Sequence, residues 1–135
     1  MRILVRAVAI VVPLIAIAVG LFAADYTITV SVGKDGKKIS YRHAKAGGGS
    51  SHGSKGHQIV LPGDKITWMC DSTCKKPAVQ YKIDNPCMTN PTPISCVVGN
   101  YFGIFPYSMA VINSAGDIVI HDPDIIVDNG GERQP

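Results

Sequence analysis

The amino-acid sequence predicts an all-β fold, an antiparallel Greek-key β-sandwich of eight or nine short strands, and three observations predict it. Apolar residues recur at every second position in short runs, the period of a strand with one face in a core and one in water. Turn chemistry separates those runs, drawn from fourteen glycines and nine prolines in 135 residues, and no convincing helical period follows residue 25. Length is the third. With an N-terminal apolar stretch set aside, about 110 residues remain, the size of one domain. Hydrophobic residues at 46% against charged residues at 17% describe a folded chain. The formal net charge of +3 is too small for a dedicated nucleic-acid binder.

The first element is a targeting segment. Arg2 and Arg6 precede an uncharged run over residues 7–24 that ends before Asp25. Such a run is an export signal or a membrane anchor, with the basic flank held on the cytoplasmic side and everything after Asp25 delivered across the membrane. As a helix the 18 residues would be about 27 Å long, enough to span the hydrocarbon core and longer than the usual cleavable segment. Two cleavage registers, one with Ala18 and Gly20 and one with Leu21 and Ala23, pull the balance slightly toward removal. The chain thus divides into residues 1–24, a signal peptide or anchor helix, and residues 25–135, the β-domain. Membrane association is expected through residues 1–24. An uncleaved domain would sit against the headgroups, because strand-like sequence begins at Tyr26 without a linker.

The strands follow in order. Tyr26, Ile28, Val30 and Val32 alternate with polar residues, Asp35-Gly36 supplies a hairpin turn, and Ile39 and Tyr41 share a face of the return strand. Residues 44–56, AKAGGGSSHGSKG, have no apolar periodicity and read as a flexible surface loop. HQIVL is a strand, Pro62-Gly63-Asp64 a turn, and Ile66, Trp68 and Cys70 the inward face of the next strand. PAVQYKI, PISCVV, IFPYSMAVI, IVIH and DPDIIVD complete the set around a proline-rich loop and an NSAGD turn. Charge is uneven: residues 34–82 hold ten Lys and Arg against three Asp, and residues 83–135 one Arg against five Asp and one Glu. The two halves are expected to neutralise each other across the sheets, with a basic patch for anionic envelope polymers or lipid as the rival reading.

Four cysteines agree with export, since an even count in a small exported domain implies disulfides. Cys70 and Cys96 are both assigned to inward faces, which favours a buried Cys70–Cys96 bridge and leaves Cys74–Cys87 to tie two loops. Cys70–Cys74 with Cys87–Cys96 is the main rival. The spacings C-x₃-C and C-x₈-C do not repeat the paired short spacing of a zinc ribbon, and no His adjoins them.

The segments VLPGDKITW, FPYSMAV and GDIVIHDPDIIVD resemble small exported cupredoxin-like domains over roughly residues 25–129. What the resemblance implies is a Greek-key sandwich. A working blue-copper member is expected to hold its metal with an upstream His and a C-terminal cluster of Cys, His and Met. Cys96 and Met109 map onto that cluster, but VVGNYFGIFPYS between them has no histidine, and neither has CDSTCKKPAV after the Trp68 strand. The resemblance therefore implies a domain without the copper site, with no metal ligands and no cofactor. His43, His52 and His57 around the glycine-rich loop, His121 near the last strand, and the soft Met69 and Met88 are read as solvated or packing residues. Asp122, Asp124 and Asp128 are read as exposed strand-end carboxylates.

No catalytic residue is assigned, because no nucleophile elbow, phosphate loop or paired nucleophile and base can be recognised. The expectation is a non-catalytic exported or membrane-tethered binding or structural module with an unknown envelope partner and no nucleic acid, its domain periplasmic, extracellular or anchored outside the cytoplasm. The alternative is a metal-handling or electron-transfer protein with unusual copper ligands.

Overall fold

The computed structural model describes residues 23–88 and 92–128; the signal or anchor expectation for the apolar run falls almost wholly outside them. Among the described residues there is no helix, hence none long and apolar enough to cross a membrane. Among the described residues ten strands make two sheets: β1 (Asp25–Val32), β2 (Ile39–Lys45), β3 (Gly53–Ser54), β4 (His57–Val60), β5 (Lys65–Cys70), β6 (Cys74–Tyr81), β7 (Ser95–Val97), β8 (Gly103–Asn113), β9 (Ile118–His121) and β10 (Asp124–Val127). One sheet has the order β2-β1-β5-β7, the other β3-β4-β10-β8-β6, with β9 also on β8.

The expected all-antiparallel pairing is corrected. Each sheet holds one parallel pair, β1 with β5 from Asp25↔Lys65 to Val30↔Cys70 and β4 with β10 from Gln58↔Ile125 to Val60↔Val127. The reason is the route of the chain. After β2 it crosses to the second sheet for β3 and β4, then returns to the free side of β1 running the same way, since a crossover rather than a hairpin joins parallel neighbours.

Local chemistry explains the elements. In β1 the apolar residues Tyr26, Ile28, Val30 and Val32 are buried. The β1–β2 hairpin closes where Gly36 takes a φ of +71° and Asp35 Oδ1 accepts the backbone N–H groups of Lys37 at 2.9 Å and Lys38 at 3.2 Å. β9 and β10 keep one register against β8, through Met109↔His121 and Pro106↔Asp124, and part only where Pro123 has no N–H to give. The ladder bridges that gap by Tyr107 N–H donating to the Pro123 carbonyl at 2.9 Å. Inside, Trp68 and Tyr107 meet edge to face with ring centroids 5.5 Å apart. Ile28, Ile66, Met109 and Ile125 pack with them in the core, all fully buried.

The loop over residues 44–56 is the second correction. Its last part is ordered structure: Gly53 and Ser54 pair with Gln58 and His57, and Lys55 and Gly56, with φ of 53° and 84°, form the two-residue turn between them. Positive φ at both central residues is what a tight hairpin with right-handed twist requires.

The favoured disulfide pairing is the third. The bridges are Cys70–Cys74 and Cys87–Cys96, with Cα atoms 5.5 and 5.2 Å apart. Cys70 ends β5 and Cys74 opens β6 one turn later, so the chain itself brings them together. Cys96 lies opposite Ile66, four residues back along β5. That is roughly 13 Å from Cys70 at the rise of a strand, beyond the reach of a disulfide.

Candidate functional site: an imidazole cleft and an apolar end

The positions that the cupredoxin resemblance would use do not form a ligand set. Cys96 Sγ is bonded to Cys87 Sγ and fully buried, so it offers no thiolate. Met109 is buried on β8 directly opposite His121 on β9, but the imidazole reaches the other sheet, where its Nδ1 lies 2.9 Å from the Tyr41 hydroxyl. Among the described residues no three of His, Cys, Asp and Glu converge on a point that would hold a metal ion. Met69 and Met88 are both about half exposed.

The three loop histidines are separated by their partners. His43 sits on β2 with both ring nitrogens engaged: Nε2 accepts the Gly56 N–H at 3.1 Å, which leaves the proton on Nδ1 to be donated to Gln58 Oε1 at 2.9 Å. Burial holds its pKa below the usual imidazole value, against the Gln58 hydrogen bond, with the nearby His57 adding to the depression. His57 Nδ1 accepts the Asp124 N–H at 3.0 Å and lies 3.3 Å from the Asp124 carboxylate. His52 Nδ1 is 3.4 Å from Ser50 Oγ, but that hydroxyl also accepts the His52 backbone N–H at 3.3 Å, so the contact shapes a turn.

The edges of the two sheets bound a separate hollow of about 310 Å³ lined by Ile39, Ser40, Tyr41, Lys55 and His121, and none of those three histidines lines it. Burial, with the Asp122 charge, pushes the Tyr41 phenol far above its ordinary range. The Tyr41 phenol and the His121 imidazole at this rim are hydrogen-bonded to each other, with Lys55 beside them.

Gln58 and Tyr107, both fully buried, hold the turn that carries Lys55 and Gly56. Gln58 donates to the Ser51 and Ile59 carbonyls, and Tyr107 donates to the Gly56 carbonyl at 2.6 Å while accepting the Trp68 indole N–H at 3.2 Å. Composition alone marks Ser51 and Gly56 as loop, and the one hint in the sequence is a Gln sharing a strand face with Val60.

The aspartates near the last strands do not gather as a dyad. Asp122 accepts from Ser108 Oγ at 2.7 Å and pairs with Lys82 Nζ at 3.0 Å, contacts that hold its carboxyl below the usual range, and Asp124 is met by His57. Lys82–Asp122 is also where the basic and acidic halves of the chain neutralise each other directly.

The other feature is an apolar end. Phe102 and Ile104, 58% and 67% exposed, stand between a groove of about 550 Å³ bounded by Asp84, Asn85, Tyr101 and Phe105 and a shallower one of about 360 Å³ beside Ile59 and Ile126. The period of β8 explains Ile104: Phe105, Tyr107, Met109 and Val111 point inward, so Ile104 points out. No protein-family model, curated protein or solved structure matches the chain.

Proposed function

We propose that the chain is an exported β-sandwich module of the cell envelope, cupredoxin-like in folding pattern and non-catalytic, that acts by binding and not by copper-based electron transfer. The observation that carries this reading is the Cys87–Cys96 bond, which takes up the one thiol the resemblance would assign to a copper centre. A blue-copper site is defined by a thiolate bond in a trigonal plane with imidazoles, and a disulfide sulfur cannot supply it. Export is supported by the Arg-flanked apolar run and by two disulfides, which persist in oxidising compartments. The cupredoxin-like pattern is supported by the contact of Trp68 in VLPGDKITW with Tyr107 in FPYSMAV, which joins two of the resembling segments inside a two-sheet core.

Titration of the oxidised protein with Cu(II) is the test. The expected outcome is no intense visible band, together with an intact mass four hydrogen atoms short of the free-thiol form. An intense thiolate-to-copper absorption that vanishes in Cys96→Ser overturns the reading in favour of metal handling.

A further inference from the structure

We propose that the end of the sandwich where the chain leaves residues 7–24 is a membrane-facing surface, seated in the headgroup layer of the bilayer that this segment crosses. The proposal rests on the exported reading with residues 7–24 retained as an anchor.

The entry point is fixed. The Ala24 N–H donates to Asp64 Oδ1 at 2.8 Å and its carbonyl accepts the Lys65 N–H at 2.9 Å, and Asp64 is itself buried, with Oδ2 accepting the Leu61 N–H at 2.8 Å. The last residue of the apolar run is thus bonded to the sheet. A residue spans at most about 3.6 Å, so an anchor draws this end of the sandwich to within a residue or two of the hydrocarbon.

That same end is where exposed apolar side chains collect. β1 and β5 begin here, β7 ends at Val97 opposite Lys65, β8 begins at Gly103, and β6 ends just before Ile83. Of ten exposed large apolar residues among those described, six belong here: Ile83, Met88, Val97, Tyr101, Phe102 and Ile104. The turns at the opposite end carry Lys34, Asp35 and Lys37 on one side and Asp117 on the other, with Ile118 the exposed apolar residue beside them. Contiguous exposed apolar surface marks an interaction site, and aromatic rings with one wet edge settle at the membrane interface. Lys45 and Lys65, at this end of β2 and β5, lie where their stems can run along lipid and their ammonium groups meet phosphate. The occupant is a bilayer because the chain's own apolar segment delivers one there, with no linker to hold it off.

The test uses the full chain reconstituted in phosphatidylcholine vesicles with and without brominated acyl chains. Phe102→Trp and Ile118→Trp put an indole at each end, at positions 58% and 70% exposed, over the constant emission of the buried Trp68. Trp68 emission also reports that each variant is folded, and Tyr101→Trp replaces Phe102→Trp should the latter not fold. The expected result is that brominated lipid lowers the added emission of Phe102→Trp about twofold or more and leaves Ile118→Trp unchanged. Equal quenching of both, or none of either, in chain that floats with vesicles overturns the seat and spares the anchor. Blue-shifted emission from Phe102→Trp without bromine quenching means that a second copy covers the end, which also overturns it. Wild-type chain that fails to float removes the anchor reading and the proposal together.

Discussion

Gly56 concentrates three constraints in one residue: φ of +84°, an N–H given to His43, and a carbonyl that accepts the Tyr107 hydroxyl. A Cβ there would lie 2.9 Å from Pro123 Cβ and from the Tyr41 ring, whereas at Gly47, with φ of +82°, it would meet nothing within 4 Å. Gly56→Ala is therefore expected to lose about 3 kcal/mol of stability and Gly47→Ala about 1 kcal/mol, the difference being steric. Equal losses in urea titrations of the two variants would refute that account. His43 gives a pH dependence of definite sign. Its pKa is lower folded than unfolded, so the unfolded chain takes up the proton first. Stability is whole above the unfolded value of about 6.5 and falls as pH drops toward the folded value. Melting midpoints recorded from about pH 8 to 5 should fall less steeply in His43→Gln, which keeps an acceptor for Gly56 but cannot titrate; an unaltered slope would refute His43 as the source of the effect.

At the scale of elements, the segment over residues 44–56 divides in two. Its glycine-rich start has open space around Gly47, Gly48 and Gly49, while its end contains β3, the Lys55-Gly56 turn and the bonds to His43 and Tyr107. Replacing residues 46–50 by a Gly/Ser linker of similar length is expected to move the melting midpoint by under about 4 °C, since closure entropy varies only logarithmically with length. Replacing residues 52–56 should lower it by more than about 8 °C. The same contrast shows what the sequence made legible. β1, β5 and β8 declare themselves because alternating apolar residues specify a face directly. Lys55-Gly56 is hidden, because the small residues of a tight turn are also those of an open loop, and only the strand it joins distinguishes them. Parallel pairing of β1 with β5 has no local signature at all, for it depends on where a crossover returns. The inward faces assigned to Cys70 and Cys96 fixed orientation but not separation along the strand, which is why the bridge between them was favoured and why four residues of offset forbid it.

For the whole molecule, the two bridges make stability depend on compartment. Both close short loops, with sequence separations of 4 and 9, for which chain-entropy arguments give about 2 and about 2.7 kcal/mol. Together that is about 4 to 5 kcal/mol, a large part of the roughly 5 to 15 kcal/mol that holds a domain of this size. Neither bridge crosses between distant parts of the chain, so the long-range order of the sheets rests on the core around Trp68 and Tyr107, and the reduced domain keeps the same native contacts with a smaller margin. Reduction should then lower the melting midpoint by about 20 to 30 °C without changing the Trp68 emission of the folded form at low temperature. Calorimetry with and without a phosphine reductant, with thiols counted in the reduced sample, measures the shift. A fall of less than about 8 °C would mean that the core alone sustains the fold in a reducing compartment. Loss of folded Trp68 emission on reduction in the cold would mean the reverse, that the sandwich cannot form until its cysteines have been oxidised outside the cytoplasm.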